Sequence, residues 1–325
     1  MLSEEIFSVQ NEAEFRDMAL RVFEFQYQNN KVYRQFCELL KKNPNNLSSL
    51  EEIPFLPIGF FKSHKIVSST NTPEIIFTSS GTTGMQTSNH YVTDLSLYEK
   101  SFLKAFESFY GNPEELVILA ILPSYLERTG SSLIYMADAL IKKSTQAESG
   151  FYLHNLDDLQ ETLEKTEKAG KKTLLIGVSF ALLDLIERYK FNLKNTIVME
   201  TGGMKGRRKE MIRTELHEIL CKGFGVPAIH SEYGMTELLS QAYSRGEGVF
   251  ECPAWMKILI RDSEDALSLL PPHKTGGINV IDLANFNSCS FIATQDLGRE
   301  TAPGKTEILG RFDHSDIRGC NLLIL

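Results

Sequence analysis

Between residues 71 and 230, short apolar runs alternate with amphipathic helical patterns, and this alternation constrains the fold more than any other feature. Four apolar runs each precede a helical pattern: EIIFT, LVILAIL, TLLIGV and NTIVMETGG. Strands that alternate with helices form βαβ units with a parallel sheet. We therefore predict an α/β fold in which flanking helices cover a parallel sheet.

The two ends of the chain follow other patterns. Residues 1–70 are predicted to be a helical N-terminal region, because apolar residues recur at spacings of three and four between Glu12 and Leu40. After residue 230, the runs WMKILIRD, GINVIDL, SFIATQDLG and TEILGRF predict strands joined by turns. We expect residues 231–325 to form a smaller, β-rich, barrel-like subdomain of one large domain.

Composition excludes several classes of protein. The net charge of -8 argues against a nucleic-acid partner. No apolar run approaches the roughly 18 residues of a membrane span, and the acidic N-terminus lacks an apolar signal core. The five cysteines are odd in number and include no C-x-x-C pair, which argues against a disulfide framework or a zinc site. These features predict a soluble cytoplasmic protein with reduced thiols.

Polar, glycine-rich segments follow several of the predicted strands. They are TSSGTTG, LPSYLERTGSS, GVSF, TGGMKG, SEYGMTE and TQDLG. Open α/β sheets bind ligands at the carboxyl ends of their strands. One such segment would mean little, but several in one chain predict one shared cleft.

The segment TSSGTTG, residues 78–84, could hold a phosphate. Gly81 and Gly84 permit unusual backbone conformations, so that N–H groups and hydroxyls could surround an anion. The segment is not a Walker P-loop, because no G-K-[ST] follows. A flexible surface loop explains the same composition equally well.

Three other segments carry residues suited to a nucleotide. In EYGMTE, the aromatic residue could stack on a base, and Glu237 could bind a divalent metal or be a solvated surface acid. Asp296 in TQDLG could accept hydrogen bonds from ribose hydroxyls or be an ordinary turn residue. Arg311 in LGRFDHSDIRGC could bridge nucleotide oxygens or belong to a charged terminal turn.

In order and rough spacing, SSGTTG, YGMTE, TQD and GRFDHSDIRG resemble motifs of the adenylate-forming superfamily. This superfamily includes acyl-CoA synthetases, luciferases and nonribosomal peptide adenylation domains. The chain resembles more closely the acyl-protein synthetases of bacterial luminescence, through PFLPIGFFK, LPSYLERTGSSLIYM, ETGGMKG, EYGMTELLSQAY and IRGC. The resemblance covers nearly the whole chain. It implies the large domain of that fold and ATP- and Mg²⁺-dependent activation of a fatty or aryl acid as an acyl-adenylate, followed by acyl transfer to a thiol.

The resemblance also implies individual roles. Tyr233 would lie beside the adenine, Thr236 would face the α-phosphate, and Glu237 would bind Mg²⁺. Asp296 would bind the ribose, with Arg311 beside it. The other implied nucleotide-binding residues belong to the phosphate loop, the glycine turn and the YGMTE motif: Ser79, Ser80, Gly81, Thr82, Thr83, Gly84, Gly202, Gly203, Gly234 and Met235.

Two departures from the superfamily pattern concern cations. The loop continues as GMQTS instead of G-x-P-K and so lacks that lysine. The sequence ends at Leu325, where relatives carry a small C-terminal lid domain with an adenylation lysine, so we expect the lid to be absent. Another cation would then offset the phosphate charge. The candidates near predicted cleft loops are Lys62, Arg128, Lys205 and Arg207, of which the last two also suit a solvated helix.

The resemblance implies that a cysteine near the C-terminus accepts the acyl group. Cys320 fits this role, and His314 and Arg318 lie close enough in sequence to favour its thiolate. It equally suits a small apolar residue in CNLLIL. The remaining cysteines lack such a context and are interpreted as packing residues: Cys37, Cys221, Cys252 and Cys289.

We expect the acyl pocket to lie between LPSYLERTGSS and GVSF, lined by Tyr125, Ser131, Tyr135, His154 and Ser179. A carboxylic acid and an acyl acceptor or acyl-CoA reductase-type protein are the expected partners. Three alternatives stay open: an acyl-CoA ligase that needs a partner for the lid, a non-catalytic nucleotide or acyl-adenylate binder, and a serine hydrolase. The last rests on IGVSFAL, which is G-x-S-x-A and only partly fits a nucleophile elbow at Ser179.

Overall fold

The computed structural model describes residues 2–79, 87–122, 130–153, 155–202 and 211–312. The α-helices in these ranges are Leu2–Glu5, Glu12–Asn29, Lys31–Leu39, Phe60–Ser63, Leu95–Tyr110, Ser132–Lys143, Leu156–Lys168, Ser179–Arg188 and Arg213–Phe224. The strands are β1 (Leu56–Pro57), β2 (Ile75–Thr78), β3 (Asn89–Val92), β4 (Val117–Ile121), β5 (Gly150–Phe151), β6 (Thr173–Gly177), β7 (Thr196–Glu200), β8 (His230–Tyr233), β9 (Ala242–Ser244), β10 (Val249–Glu251), β11 (Met256–Arg261), β12 (Thr275–Asp282), β13 (Phe291–Ala302) and β14 (Lys305–Arg311).

A mixed sheet of twelve strands organises the described part of the chain. Its order is β11-β12-β13-β14-β10-β9-β8-β7-β6-β4-β5, and β1 also pairs with β13. The strands β5, β4, β6, β7 and β8 are parallel to one another. On the other side of β8, every neighbouring pair from β8–β9 to β12–β11 is antiparallel. The predicted α/β class is confirmed, and the C-terminal strands continue the same sheet.

Strands β4 and β6 are buried because their sequences are apolar at nearly every position. Every residue of β4 and β6 is buried. Helices pack on both faces of a parallel sheet, so such strands show continuous apolar runs instead of alternation. The runs LVILAIL and TLLIGV therefore predicted these strands correctly.

The strand EIIFT does not join the parallel sheet, and this part of our interpretation was wrong. β2 pairs antiparallel with β3 in a separate two-stranded sheet, from Ile75 opposite Val92 to Thr78 opposite Asn89. Only residues 79–88 connect these strands, which is too short for the crossover that a parallel pair requires. The predicted phosphate loop is thus the connection of a hairpin.

The predicted N-terminal helical pattern is confirmed as two helices that meet at Asn30. The Asn30 side chain accepts a hydrogen bond from the Tyr33 N–H at 3.0 Å and so caps the second helix. Buried Gln26 donates to the carbonyl oxygens of Asn285 (3.1 Å) and Phe286 (2.9 Å). This contact fixes the N-terminal helices against the segment that follows β12.

Within the described ranges, the helices are all too short or too polar to cross a membrane.

Candidate active site

Side chains from β8, β13 and β14 meet at one edge of the sheet. The Tyr233 hydroxyl donates to Asp296 Oδ2 at 2.8 Å, and Arg311 Nε lies 3.5 Å from Asp296 Oδ1. The register of β13 and β14 places Asp296 opposite Arg311. Burial and the nearby charge of Asp296 raise the pKa of Tyr233 well above its usual value, so its hydroxyl remains a donor. Three residues predicted to bind nucleotide are therefore in contact.

Glu237 connects this group to the base of the phosphate loop. It is 5% exposed. Burial raises the pKa of Glu237, and a hydrogen bond with Ser88 and the charge of Arg311 partly oppose that shift. Ser88 and Ser79 close the loop, because the Ser79 N–H donates to the Ser88 carbonyl at 3.1 Å and the Ser88 N–H donates to Ser79 Oγ at 2.9 Å. The loop therefore begins and ends beside Glu237.

Two buried side chains hold the backbone of the YGMTE motif. His90 Nδ1 lies 2.8 Å from the Thr236 carbonyl oxygen, and His90 Nε2 lies 2.9 Å from Asn285 Oδ1. Asn285 Nδ2 donates to the Glu237 carbonyl at 2.7 Å. Burial lowers the pKa of His90 to about 4, and the contacts with Thr236 and Asn285 oppose that shift. The pair His90 and Asn285, which was not predicted from the sequence, joins β3 to the segment after β12.

The chain just beyond Glu237 is also fixed. Asp282 accepts the Ser240 N–H at 3.0 Å and the Ser240 hydroxyl at 2.6 Å. Trp255 Nε1 donates to Ser240 Oγ at 3.1 Å and to Ser101 Oγ at 2.9 Å. The position of Glu237 is therefore determined from both sides by buried hydrogen bonds.

A cleft of about 1870 Å³ opens at the carboxyl ends of β6, β7 and β8, and we refer to it as the carboxyl-edge cleft. Its lining includes Ser179, Gly202, Tyr233, Asp296 and Arg311. Residues from five of the predicted segments thus share one cavity. The other described motif residues lie outside its lining: Ser79, Gly234, Met235, Thr236 and Glu237.

Glu200 is a buried acid at the end of β7 that was not predicted from the sequence. Its Oε2 accepts the Gly202 N–H at 2.8 Å and the Ser179 hydroxyl at 3.3 Å. Arg213 Nε and His217 Nε2 lie 3.5 Å and 3.6 Å from its Oε1. Burial acts to raise the pKa of Glu200, but hydrogen bonding by His217 and the charge of Arg213 outweigh it and lower the pKa to about 2. An acid two residues before a pair of glycines was the available signal.

These contacts weaken the serine hydrolase alternative. Ser179 donates its hydroxyl to Glu200, whose pKa of about 2 makes it a weak base at neutral pH. His217 contacts the other oxygen of that carboxylate, which is not the serine–imidazole contact of a hydrolase.

A second acid, Glu232, lies next to Tyr233 and differs electrostatically from Glu200. Its Oε2 accepts the Thr201 hydroxyl at 2.6 Å. Burial raises the pKa of Glu232 to about 7, with the Thr201 hydrogen bond opposing the shift and the negative charge of Glu200 adding to it. Neighbouring strands therefore carry carboxyl groups whose pKa values move in opposite directions.

Other predicted residues are placed away from the carboxyl-edge cleft. Ser131 caps a helix by accepting the Ile134 N–H at 3.3 Å, and Tyr135 donates to Glu99. Lys62 is on the helix Phe60–Ser63, beside the base of the β2–β3 hairpin, since the adjacent Phe61 ring packs 5.8 Å from His90. The predicted residues outside the described ranges are Ser80, Gly81, Thr82, Thr83, Gly84, Tyr125, Arg128, His154, Gly203, Lys205, Arg207 and Cys320.

The described residues also limit where a metal ion could bind and which thiols could react. In the described ranges, no cluster of three or more His, Cys, Asp or Glu side chains could hold a metal ion. Mg²⁺ at Glu237 would therefore take its other ligands from phosphate oxygens and water, which is the usual coordination for this ion. Burial raises the pKa of Cys37 and Cys252 to about 12, as expected for packing residues.

The comparisons with known proteins agree with the expected family. Residues 3–100 match the family model for the acyl-protein synthetase LuxE. The long-chain-fatty-acid–luciferin-component ligase of Vibrio harveyi is 25% identical and aligns with 92% of this chain and 84% of its own length. The Aliivibrio fischeri ligase of the same name is 24% identical, with 97% and 89% aligned. The predicted resemblance is confirmed, and the chain is a homologue of ligases.

Solved structures confirm the fold. A 2-hydroxyisobutyryl-CoA ligase in complex with 2-HIB-AMP and CoA superposes with a TM-score of 0.65 at 12% identity, over 94% of this chain and 72% of the ligase. ATP-bound MatB from Rhodopseudomonas palustris superposes with a TM-score of 0.54 at 18% identity, over 73% of this chain and 47% of MatB. The described sheet and helices therefore match those of adenylate-forming ligases.

Proposed function

Because the chain is related to the LuxE acyl-protein synthetases, we propose that it activates a carboxylic acid with ATP and passes the acyl group to a thiol. The observation that carries this proposal is the contact among Tyr233, Asp296 and Arg311, with Glu237 between them and the base of the phosphate loop. Separate motifs would then contact the base, ribose and phosphates of one nucleotide. The reaction belongs in the cytoplasm, where thiols stay reduced.

The first step is adenylation. A carboxylate oxygen attacks the α-phosphorus of ATP, the bond from that phosphorus to the bridging oxygen breaks, and pyrophosphate leaves. The product is an acyl-adenylate, a mixed anhydride with a good leaving group. Asp296 would hold the ribose, while Arg311 and the N–H groups of the loop would stabilise negative charge on phosphate oxygens.

Mg²⁺ suits the carboxylate of Glu237, which would be its protein ligand. When bound, the ion supplies positive charge to the phosphate oxygens. Burial raises the pKa of Glu237, and a nearby cation would favour its ionised form. His90 and Asn285 would keep the backbone beneath this carboxylate in place.

The second step is thioester formation. A thiolate attacks the acyl carbonyl carbon, the carbon–oxygen bond to AMP breaks, and AMP leaves, while the thiol proton goes to solvent. Cys320 is the proposed acceptor. If Cys320 does not accept the acyl group, the thiol of a partner protein or of a small molecule would do so. The names of the curated relatives favour a long-chain fatty acid as the substrate.

The test is ATP-dependent acylation in the presence of Mg²⁺ and a panel of fatty and aryl acids. We expect acid-dependent pyrophosphate exchange, and an acyl adduct in intact-mass spectra that Cys320→Ser removes. Cys252→Ser is the matched control and should retain the adduct, because burial raises the pKa of that thiol to about 12.

Each result decides a different part of the proposal. Absence of exchange with every acid would reject activation, and nucleotide binding without pyrophosphate release would leave a non-catalytic binder. An unchanged adduct in Cys320→Ser would reject this acceptor but retain adenylation.

A further inference from the structure

Strand β13 bulges at the residues that carry the proposed ribose-binding acid. Gly277 of β12 lies opposite Leu297, but Asn279, two residues further on, lies opposite Ala293. Three residues of β13, 294–296, therefore face the single residue Ile278. A bulge re-aims a side chain but removes ladder hydrogen bonds locally. Asp296 reaches the carboxyl-edge cleft from this bulge.

A buried guanidinium fills the gap in the ladder. Arg261 extends from β11, is 8% exposed, and donates through Nη1 to the Ile278 carbonyl at 2.6 Å and to Asn279 Oδ1 at 3.0 Å. Its Nη2 donates to the Thr294 carbonyl at 2.6 Å. Buried backbone oxygens need such partners, and a planar fork can reach two strands at once.

Thr294 completes the link from Arg261 to the acid. Its hydroxyl donates to the Ile278 carbonyl at 2.9 Å and accepts the Asp296 N–H at 3.1 Å. Arg261 and the Thr294 hydroxyl therefore share the Ile278 carbonyl, and that same hydroxyl accepts the Asp296 N–H. A shift of the guanidinium would be transmitted to the backbone of Asp296 through a chain of direct hydrogen bonds.

The sequence provides space for this guanidinium. A Cβ atom on Gly277 would lie 2.5 Å from Arg261 Cζ, so a larger residue there would displace the guanidinium. Arg261 Cζ also lies 5.8 Å from the ring centroid of Phe312, which lines the carboxyl-edge cleft. Burial lowers the pKa of Arg261, and the negative charge of nearby Asp296 opposes that shift.

We propose that Arg261 is a positioning residue that fixes the bulge and thereby sets how well Asp296 recognises the ribose hydroxyls of ATP. The inference rests on the proposed function, in which Asp296 binds the ribose. It concerns the choice between ribonucleotide and deoxyribonucleotide and does not involve the acid substrate.

The experiment compares ATP with 2′-deoxy-ATP and 3′-deoxy-ATP in pyrophosphate exchange. Hydrogen bonds to a carboxylate predict a preference of roughly 10- to 100-fold in kcat/KM for ATP in the wild-type protein. Arg261→Met should reduce that preference to within about threefold, while the KM for the acid stays unchanged. A purely structural role would lower activity with all three nucleotides equally.

Two further variants address the risk that Arg261→Met does not fold. Gly277→Ala displaces the guanidinium but keeps its charge, and Arg261→Lys keeps a cation but loses the fork. Both should lose the preference. Lys257→Met is the matched control, because it removes a cation from the same strand, one that pairs with Glu12 instead. It should keep the wild-type preference.

The outcomes separate this inference from the proposed function. A wild-type protein that exchanges no pyrophosphate with ATP would reject the proposed function itself. Exchange without any preference for ATP would reject ribose recognition by Asp296, and with it the role of Arg261. If Arg261→Met, Arg261→Lys or Gly277→Ala folds and still prefers ATP as strongly as the wild-type protein, the role of Arg261 is rejected. The proposed function would then still stand.

Discussion

Glu200→Gln removes a buried negative charge at the end of β7, and the surroundings of Glu200 set both the size and the pH window of the effect. Its pKa is about 2 in the folded protein, compared with 4.5 for an ordinary glutamate. Each factor of ten in a proton equilibrium corresponds to about 1.4 kcal/mol, so the ionised form contributes about 3 kcal/mol to the free energy of unfolding at pH 7.

The sign follows from the direction of this difference. A depressed pKa gives stability that is complete above about pH 4.5 and is lost as the pH falls towards 2. The destabilisation caused by Glu200→Gln should therefore shrink by about 2 kcal/mol between pH 7 and pH 3. Gln can still accept the Gly202 N–H, so this pH-dependent part reports the charge and not the hydrogen bond.

Glu232→Gln is the companion perturbation with the opposite sign. Burial raises the pKa of Glu232 to about 7, so its contribution to stability is complete below about pH 4.5 and lost as the pH rises through 7. Gln resembles the protonated form. The variant should match the wild-type protein near pH 4 and exceed its stability at pH 9, by at most about 3 kcal/mol because part of the side chain reaches solvent.

The assay is urea unfolding followed by circular dichroism from pH 3 to pH 9, with the free energy of each variant compared with the wild-type value. Glu218→Gln, an exposed acid on the helix that carries His217, is the control and should give a small, pH-independent difference. If Glu200→Gln costs the same at pH 3 and pH 7, the electrostatic argument for Glu200 is refuted.

Three further predictions concern the nucleotide site and the fold. Asp296→Asn should weaken adenosine-nucleotide binding by about tenfold or more, since charged hydrogen bonds are lost, and calorimetry that gives an unchanged Kd would contradict this role. Glu237→Gln should reduce Mg²⁺-dependent pyrophosphate exchange by roughly 100-fold yet leave AMP binding within about threefold, and equal losses in both assays would argue against a metal ligand. Gly225→Ala should lower the free energy of unfolding by about 1–2 kcal/mol, because Gly225 has a φ of 70° and a Cβ would lie 2.9 Å from Asn192 Cα. A variant that unfolds at the same urea concentration as the wild-type protein would exclude this strain.

The sequence predicted those elements whose burial is continuous along the chain. β4 and β6 are apolar at nearly every position, and this pattern identifies a buried strand. β2 is equally apolar, but a short run does not reveal its partner. The partner NHYV lies ten residues further on, and its polar first half gave no strand signal. Length and hydrophobicity therefore predicted the strand but not the sheet it joins.

The candidate site divides in a similar way. Motif residues such as Tyr233 and Asp296 were found because short segments identify them, and the structure brings these two into contact. Glu200, His90 and Arg261 were missed because their roles depend on contacts distant in sequence. His90, for example, meets Asn285 across 195 positions. A single sequence carries no record of such pairings, so only the folded backbone shows that these residues support the motif.

The hydrogen bond between Trp255 and Ser240 has a practical consequence. Trp255 is the only tryptophan in the chain, and its indole is joined to the turn that follows Glu237. Indole fluorescence depends on local polarity and hydrogen bonding. The emission maximum of Trp255 would therefore shift when that turn moves, without any attached dye. Nucleotide titrations could therefore be read optically in the unmodified protein.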